Sequence, residues 1–178
     1  TTEKKYDVSC MFGYPTKTPV YEHDICQTDY YDPHRKTLMD TLGDKYKIAG
    51  LVDGERIPIE EYYQKMYDSK ITMAPLGYGE MAPRDLESAM FGSVLVKPNM
   101  NYITSEPFIY EDDITYIAVN YDWSNLEEKV DYVLSDYNNI RERLVQNMKS
   151  QFIEKYKLEN LVIHMYDVFK NLSDVEGE

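Results

Sequence analysis

The stretch from residue 69 to residue 98 holds the side chains whose types and spacing favour binding of a phosphorylated ligand. Gly77 and Gly79 follow a strand-like apolar run, and glycine allows a ligand close to the backbone because it has no Cβ. Arg84 stands at a predicted helix start, and its guanidinium fork suits a diphosphate. Glu87 follows one turn later, where a carboxylate can accept hydrogen bonds from sugar hydroxyls. The pattern predicts a site for a phosphate joined to a polyol.

Six further residues are candidates for contacts with the same ligand. His34 and Arg35 stand near the start of an earlier predicted helix, whose N-terminus would face the ligand-binding edge of a parallel sheet. Tyr78 offers a ring that can stack on a base or a sugar. The remaining candidates lie in the glycine turn, in the helix after it and just past the end of a predicted strand: Glu80, Ser88 and Lys97.

These residues also have ordinary structural interpretations. Arg84 and Glu87 are three residues apart, so they can pair on the solvated face of a helix. His34 and Arg35 can belong to a capped helix start, and Tyr78 can be an aromatic residue of a turn. Their position relative to a cleft distinguishes the two interpretations.

The elements that must position these residues alternate along the chain. Apolar runs bounded by glycine or proline predict strands at 6–12, 46–52, 71–75, 94–96 and 114–119. Proline starts, glycine ends and helical periodicity predict helices at 32–42, 58–67, 83–92, 126–134, 139–156 and 158–172. This alternation predicts an α/β fold, a Rossmann-like parallel sheet with helices on both faces and a helical C-terminal tail.

Length and composition limit the possible functions. The 178 residues suffice for about one domain, which we place at 1–178, with a C-terminal helix and acidic tail at 157–178. The net charge of −13, from 32 acidic and 19 basic residues, argues against nucleic acid as the main partner. The apolar runs are too short for a membrane span. Two cysteines favour a reducing compartment, so we expect a cytoplasmic location.

Several common catalytic or ligand-binding motifs are missing from the sequence. Three histidines and two cysteines show no metal-ligand spacing, so we expect no bound metal. The nucleophile elbow of hydrolases, the P-loop and the dinucleotide-binding glycine fingerprint do not occur. Hydrolase, NTPase and NAD-dependent functions are therefore disfavoured for the predicted sheet.

The stretch from residue 69 to residue 98 resembles part of the C-terminal domain of GT-B glycosyltransferases. The similarity is to the group-1 type found in spore-maturation CgeB-like proteins and, more loosely, to exostosins. The resemblance covers about residues 45–150. Its motif residues are Gly77, Tyr78, Gly79, Arg84, Glu87, Ala89, Gly92, Val94, Leu95 and Val96. It implies that Glu87 binds ribose or sugar hydroxyls of a donor, and that the glycine turn and Arg84 bind its diphosphate. Leu76 stands where many retaining members of the family have a glutamate.

The resemblance implies a glycosyltransferase domain that binds a nucleotide-sugar donor and passes the sugar to an acceptor hydroxyl without a metal or another cofactor. The expected partners are an acceptor glycan and an N-terminal GT-B domain, since we expect the chain to be excised from a larger two-domain enzyme. Two alternatives stay open: a non-catalytic Rossmann-like binding module and an S-adenosylmethionine-dependent methyltransferase. The sequence at 12–15 lacks the glycine-rich turn that the methyltransferase would need. A third and weaker alternative is a signalling domain in which Asp53 accepts a phosphate.

Overall fold

A single parallel sheet organises the part of the chain that the structure describes. The computed structural model describes residues 3–13, 31–50, 57–77, 79–105 and 108–175. Its strands are β1 Tyr6–Cys10, β2 Ile48–Gly50, β3 Ser69–Met73, β4 Val94–Pro98 and β5 Ile117–Val119. They are ordered β2-β1-β3-β4-β5, and every neighbouring pair is parallel. The Rossmann-like α/β fold predicted from the sequence is thus confirmed.

Six helices occur among the described residues, close to the predicted positions. They are α1 Tyr31–Leu42, α2 Ile59–Tyr67, α3 Pro83–Met90, α4 Leu126–Ser135, α5 Tyr137–Tyr156 and α6 Leu158–Val175. Proline fixes φ near its helical value, which explains why α2 begins directly after Pro58 and α3 at Pro83. Gly43 and Gly92 follow α1 and α3 with φ of 49° and 69°, a conformation that ends helices and favours glycine.

The fifth strand is shorter than predicted. The sequence favours a strand over 114–119, but β5 begins only at Ile117. The residues just before β5 form a local turn instead. The Thr115 hydroxyl stabilises it, because it donates to the Ile109 carbonyl and accepts from the Glu111 amide. Asp113 in this turn has a φ of 56°, which is incompatible with extended backbone. Side-chain hydrogen bonding thus replaces the strand ladder here.

Two apolar clusters hold the helices on the two faces of the sheet. On one face, Val8, Ile71, Val94 and Ile117 are at most 1% exposed and pack with residues of α1, α4 and α5. On the other face, Leu95 and Ala118 pack with α3 and the middle of α5. Side chains alternate between the faces along each strand, so both faces of the parallel strands are apolar and covered.

Two further properties of the described residues bear on the sequence analysis. No helix among them combines the length and the apolar character needed to cross a membrane. Cys10 is buried in the core as a free thiol, and burial raises its pKa to about 12. The second cysteine, Cys26, lies outside the described residues.

Candidate functional site

A cleft of about 660 Å³ opens at the carboxyl edge of the sheet. Ligands of open parallel sheets bind at this edge. The residues around the cleft follow β3, β4 and β5 in the chain. They are Leu76, Gly77, Gly79, Glu80, Asn99, Asn101, Tyr102 and Tyr121. Three of these, Gly77, Gly79 and Glu80, were predicted site residues, so the glycine turn does border a cavity large enough for a small molecule.

Two arginines converge beside the cleft, at the carboxyl end of β1. Arg35 Nη1 donates to the Gly13 carbonyl at 2.7 Å, and Arg84 Nη2 donates to the Met11 carbonyl at 2.8 Å. Their guanidinium carbons lie 5.9 and 5.8 Å from the centre of the Phe12 ring, within cation–π range. Residues from α1 and α3, 49 positions apart in the sequence, thus concentrate positive charge at one point.

Arg35 also contacts the glycine turn. Its Nη2 donates to the Leu76 carbonyl at 3.4 Å. A Cβ at Gly77 would lie 3.3 Å from this nitrogen, closer than most side chains tolerate. Glycine at this position therefore lets the turn approach the guanidinium.

Glu87 and Arg84 are joined by a residue from another helix. The Tyr62 hydroxyl, on α2, donates to Glu87 Oε2 at 2.8 Å. The pKa of Tyr62 is raised to about 12, chiefly by burial; the charge of Glu87 also acts to raise this pKa, and Arg84 acts to lower it. Glu87 is half-buried, so one carboxylate oxygen is held while the group stays beside the surface. Arg84 and Glu87 therefore do not form the simple solvated pair that their spacing allows.

A buried ion pair lies directly behind these residues. Lys97 Nζ is 3.1 Å from Asp85 Oδ2, and both side chains are at most 1% exposed. The same carboxylate oxygen accepts from the Tyr110 hydroxyl at 2.6 Å and from the Ala82 amide at 3.1 Å. Lys97 also donates to the Glu80 carbonyl. Burial lowers the pKa of Lys97, while Asp85 acts to raise it.

These contacts correct two expectations. Lys97 lies within β4 and is fully buried, whereas the sequence placed it past a strand end, in reach of a ligand. Ser88 is fully buried too, and its hydroxyl donates to the Asp85 carbonyl at 2.7 Å. Both side chains therefore support the walls of the site from behind and do not line the cleft.

His34 is likewise beneath the surface. Its ring stacks on Tyr121, with the ring centres 4.5 Å apart, and lies 4.5 Å from the ring of Trp123. The Nε2–H donates to the Tyr121 carbonyl at 2.8 Å, and the Trp123 indole N–H donates to the His34 carbonyl at 2.9 Å. His34 thus fixes Tyr121, a residue of the cleft wall, and burial lowers its own pKa.

The structure therefore brings together most of the predicted site but orders it differently. Arg35, Arg84 and Glu87 group beside the cleft, and Gly77, Gly79 and Glu80 line it. Sequence reasoning missed Tyr62 and the cleft residues after β4 and β5. Those latter residues share one signal, a position just after a strand, which in the sequence pointed to the glycine turn after β3 but, after β4, only to Lys97. Tyr78 and Asp53 lie outside the described residues.

We expect His34 to make stability depend on pH. Its pKa in the folded protein lies below the unfolded value of about 6.5, so below that pH the unfolded chain binds more protons. Folding free energy from this residue is present above pH ~6.5 and is lost as the pH falls through the folded pKa. Urea titrations of His34→Gln, which can still donate to Tyr121, should show a smaller loss of stability on acidification than the unmodified protein.

The matched control is Thr41→Ser, a substitution on the same helix that removes no titratable group and keeps the hydroxyl that donates to the Thr37 carbonyl. It should leave the difference between neutral and acidic stability unchanged. Equal pH dependence in the His34 variant and the unmodified protein would contradict this prediction.

Comparison with solved structures identifies the fold. The C-terminal domain of a group 1 family glycosyl transferase from Francisella tularensis superposes with a TM-score of 0.50 at 16% identity, covering 88% of each chain. Sucrose-phosphate synthase from Thermosynechococcus elongatus gives 0.51 at 15% identity, covering 94% of this chain and 38% of that chain. This chain therefore spans little more than a third of the synthase.

The sequence itself matches no protein-family model and no curated protein. The similarity to these structures is therefore one of fold. It agrees with the resemblance found in the sequence at the glycine turn, Arg84 and Glu87. The chain has the fold of the C-terminal domain of a GT-B glycosyltransferase.

Proposed function

We propose that this domain binds the nucleotide-sugar donor of a glycosyltransferase, whose sugar is transferred to an acceptor hydroxyl. The observation that carries the proposal is the convergence of Arg35 and Arg84 beside the cleft. Two guanidiniums from different helices suit a diphosphate, because each presents N–H donors in a planar fork.

The two arginines have a direct role in the proposed chemistry. When the sugar leaves the donor, negative charge gathers on the nucleoside diphosphate. Positive groups fixed before the reaction stabilise that charge without rearranging. Arg35 and Arg84 are held by backbone carbonyls and by Phe12, so their positions are set in advance. A transfer that needs no metal remains a prediction of this arrangement.

Glu87 and the cleft supply the remaining contacts. The Tyr62 hydroxyl donates a hydrogen bond to Glu87 Oε2. The other carboxylate oxygen of Glu87 would accept hydrogen bonds from ribose or sugar hydroxyls. The amides of Asn99 and Asn101 and the rings of Tyr102 and Tyr121 border the cleft, where a sugar or a base can hydrogen-bond and stack. We place the acceptor site on a second domain, since GT-B enzymes consist of two.

A thermal-shift screen with nucleoside diphosphates tests the proposed donor site. UDP, GDP, TDP, CDP and ADP should be compared at millimolar concentration, with S-adenosylmethionine alongside. A ligand at about 100 times its Kd stabilises by about 2.7 kcal/mol, or several degrees for this size of domain. One nucleoside diphosphate should raise Tm clearly. A rise only with S-adenosylmethionine would favour a methyltransferase, and no rise with any of them would favour a non-catalytic module.

Arg84→Ala should weaken binding of that nucleoside diphosphate by about 1.5–3 kcal/mol, roughly 10- to 150-fold in Kd, because a hydrogen bond to a charged group is lost. Isothermal titration calorimetry measures the change. Arg143→Ala is the matched control, since Arg143 pairs with Asp113 on an exposed surface. It should leave the Kd unchanged. A folded Arg84 variant with full affinity would exclude this residue from the site.

Glu87→Gln should weaken binding of the nucleoside diphosphate more than binding of inorganic pyrophosphate. The glutamine oxygen can still accept from Tyr62, but the amide is a poorer acceptor for ribose hydroxyls than a carboxylate. Competition titrations with the two ligands give the ratio of the effects. Equal losses for both ligands would contradict a role of Glu87 in binding hydroxyls.

A further inference from the structure

The candidate site has two ends, and the two arginines lie between them. At one end is Glu87, which is joined to Arg84 through a tyrosine of α2. Arg84 shares the Phe12 ring with Arg35, and Arg35 donates to the Leu76 carbonyl at the wall of the cleft. The cleft is the other end, and Glu87 is not among the described residues that line it.

A nucleotide sugar has the matching order of groups, because its diphosphate lies between the ribose and the transferred sugar. With the diphosphate on Arg35 and Arg84 and the ribose at Glu87, the sugar extends into the cleft. The side chains that line the cleft therefore decide which sugar the domain can accept.

Glu80 supplies the charge of that lining. The other described residues around the cleft are leucine, glycine, asparagine and tyrosine. Glu80 is exposed, and its carboxylate forms no ion pair with any residue that the structure describes. Its backbone is fixed from behind, because the buried Lys97 ammonium donates to its carbonyl. The glycine turn thus holds an unpaired carboxylate at the wall of the cleft.

The positive groups around the site are engaged with other anions. Lys97 is paired with Asp85 in the interior, so this pair adds no net charge. The diphosphate of a bound donor would neutralise Arg35 and Arg84. Among the described residues of the site, no positive charge then remains to receive a second anionic group in the cleft.

The uncharged side chains of the cleft suit a ring that carries hydroxyls. Asn99 Oδ1 accepts from the Asn101 amide at 2.8 Å, so the NH2 group of Asn99 is the part that can donate to a sugar oxygen. The Tyr121 ring stacks on His34 with one face and is 44% exposed. Its other face can pack against the C–H groups of a sugar.

We infer, on the basis of the donor site proposed above, that Glu80 restricts the donor to sugars without an acidic group and excludes uronic acids. Hydroxyls of a neutral sugar can donate to the Glu80 carboxylate. A sugar carboxylate would instead lie beside a like charge, and such a contact in a partly exposed site weakens binding by about 10-fold or more.

Two sugar phosphates test this selectivity independently of the base. Glucose 1-phosphate and glucuronate 1-phosphate differ only in a hydroxymethyl group that is replaced by a carboxylate. In titration calorimetry at neutral pH, the glucuronate compound should have a Kd at least ~10-fold higher than the glucose compound. Inorganic pyrophosphate serves as the probe for the two arginines alone.

Glu80→Gln should bring the ratio of the two Kd values close to one, mainly by lowering the Kd of glucuronate 1-phosphate. The substitution removes the charge and keeps the size of the side chain. Glu142→Gln is the matched control, because Glu142 is exposed on α5 and is not a residue of the cleft. It should retain the full ratio. Thermal unfolding verifies that both variants are folded.

The outcomes separate the selectivity from the donor site. Equal Kd values for the two sugar phosphates in the unmodified chain, with pyrophosphate bound, would overturn the selectivity and leave the proposed function intact. A full ratio in the Glu80 variant would overturn the role of this residue. Failure of pyrophosphate and both sugar phosphates to bind would overturn the donor site itself, and the selectivity with it.

Discussion

The buried ion pair between Lys97 and Asp85 is the interaction on which the candidate site depends. Removing two charges from water costs several kcal/mol each, so such a pair persists only where further hydrogen bonds complete it. Here the Tyr110 hydroxyl and the Ala82 amide donate hydrogen bonds to the Asp85 carboxylate, and Lys97 donates one to the Glu80 carbonyl. The pair joins β4, the glycine turn and the first turn of α3. The position of the adjacent Arg84 follows from it.

The site is a local exception to the charge of the whole protein. The sequence carries a net charge of −13, but the positive charges of Arg35 and Arg84 meet at one point. Binding of an anion responds to the charges within a few ångströms, because water and salt screen the more distant ones. The acidic surface around such a point can also exclude polyanions such as nucleic acid. Local charge and overall charge are thus compatible.

The same sequence periodicity leads to different environments in two helices. In α5, Ile140, Leu144 and Met148 recur at helical spacing and are buried against the sheet. In α6, Leu158, Val162, Met165 and Phe169 recur just as regularly and remain exposed. Periodicity predicts that one side of a helix is apolar, but it does not predict what covers that side. That depends on where the chain has already filled the faces of the sheet.

The sequence alone was enough to predict the alternation of strands and helices, the helix starts after Pro58 and at Pro83, and the glycine turn with Arg84 and Glu87. These signals are local, since φ restriction and periodicity act between near neighbours in the chain. Three features depend on long-range packing: the burial of Lys97 and Ser88, the hydrogen bond from Tyr62 to Glu87, and the set of residues after β4 and β5 that line the cleft. Those contacts join residues far apart in sequence, and they exist because the strand order brings separate loops to one edge of the sheet.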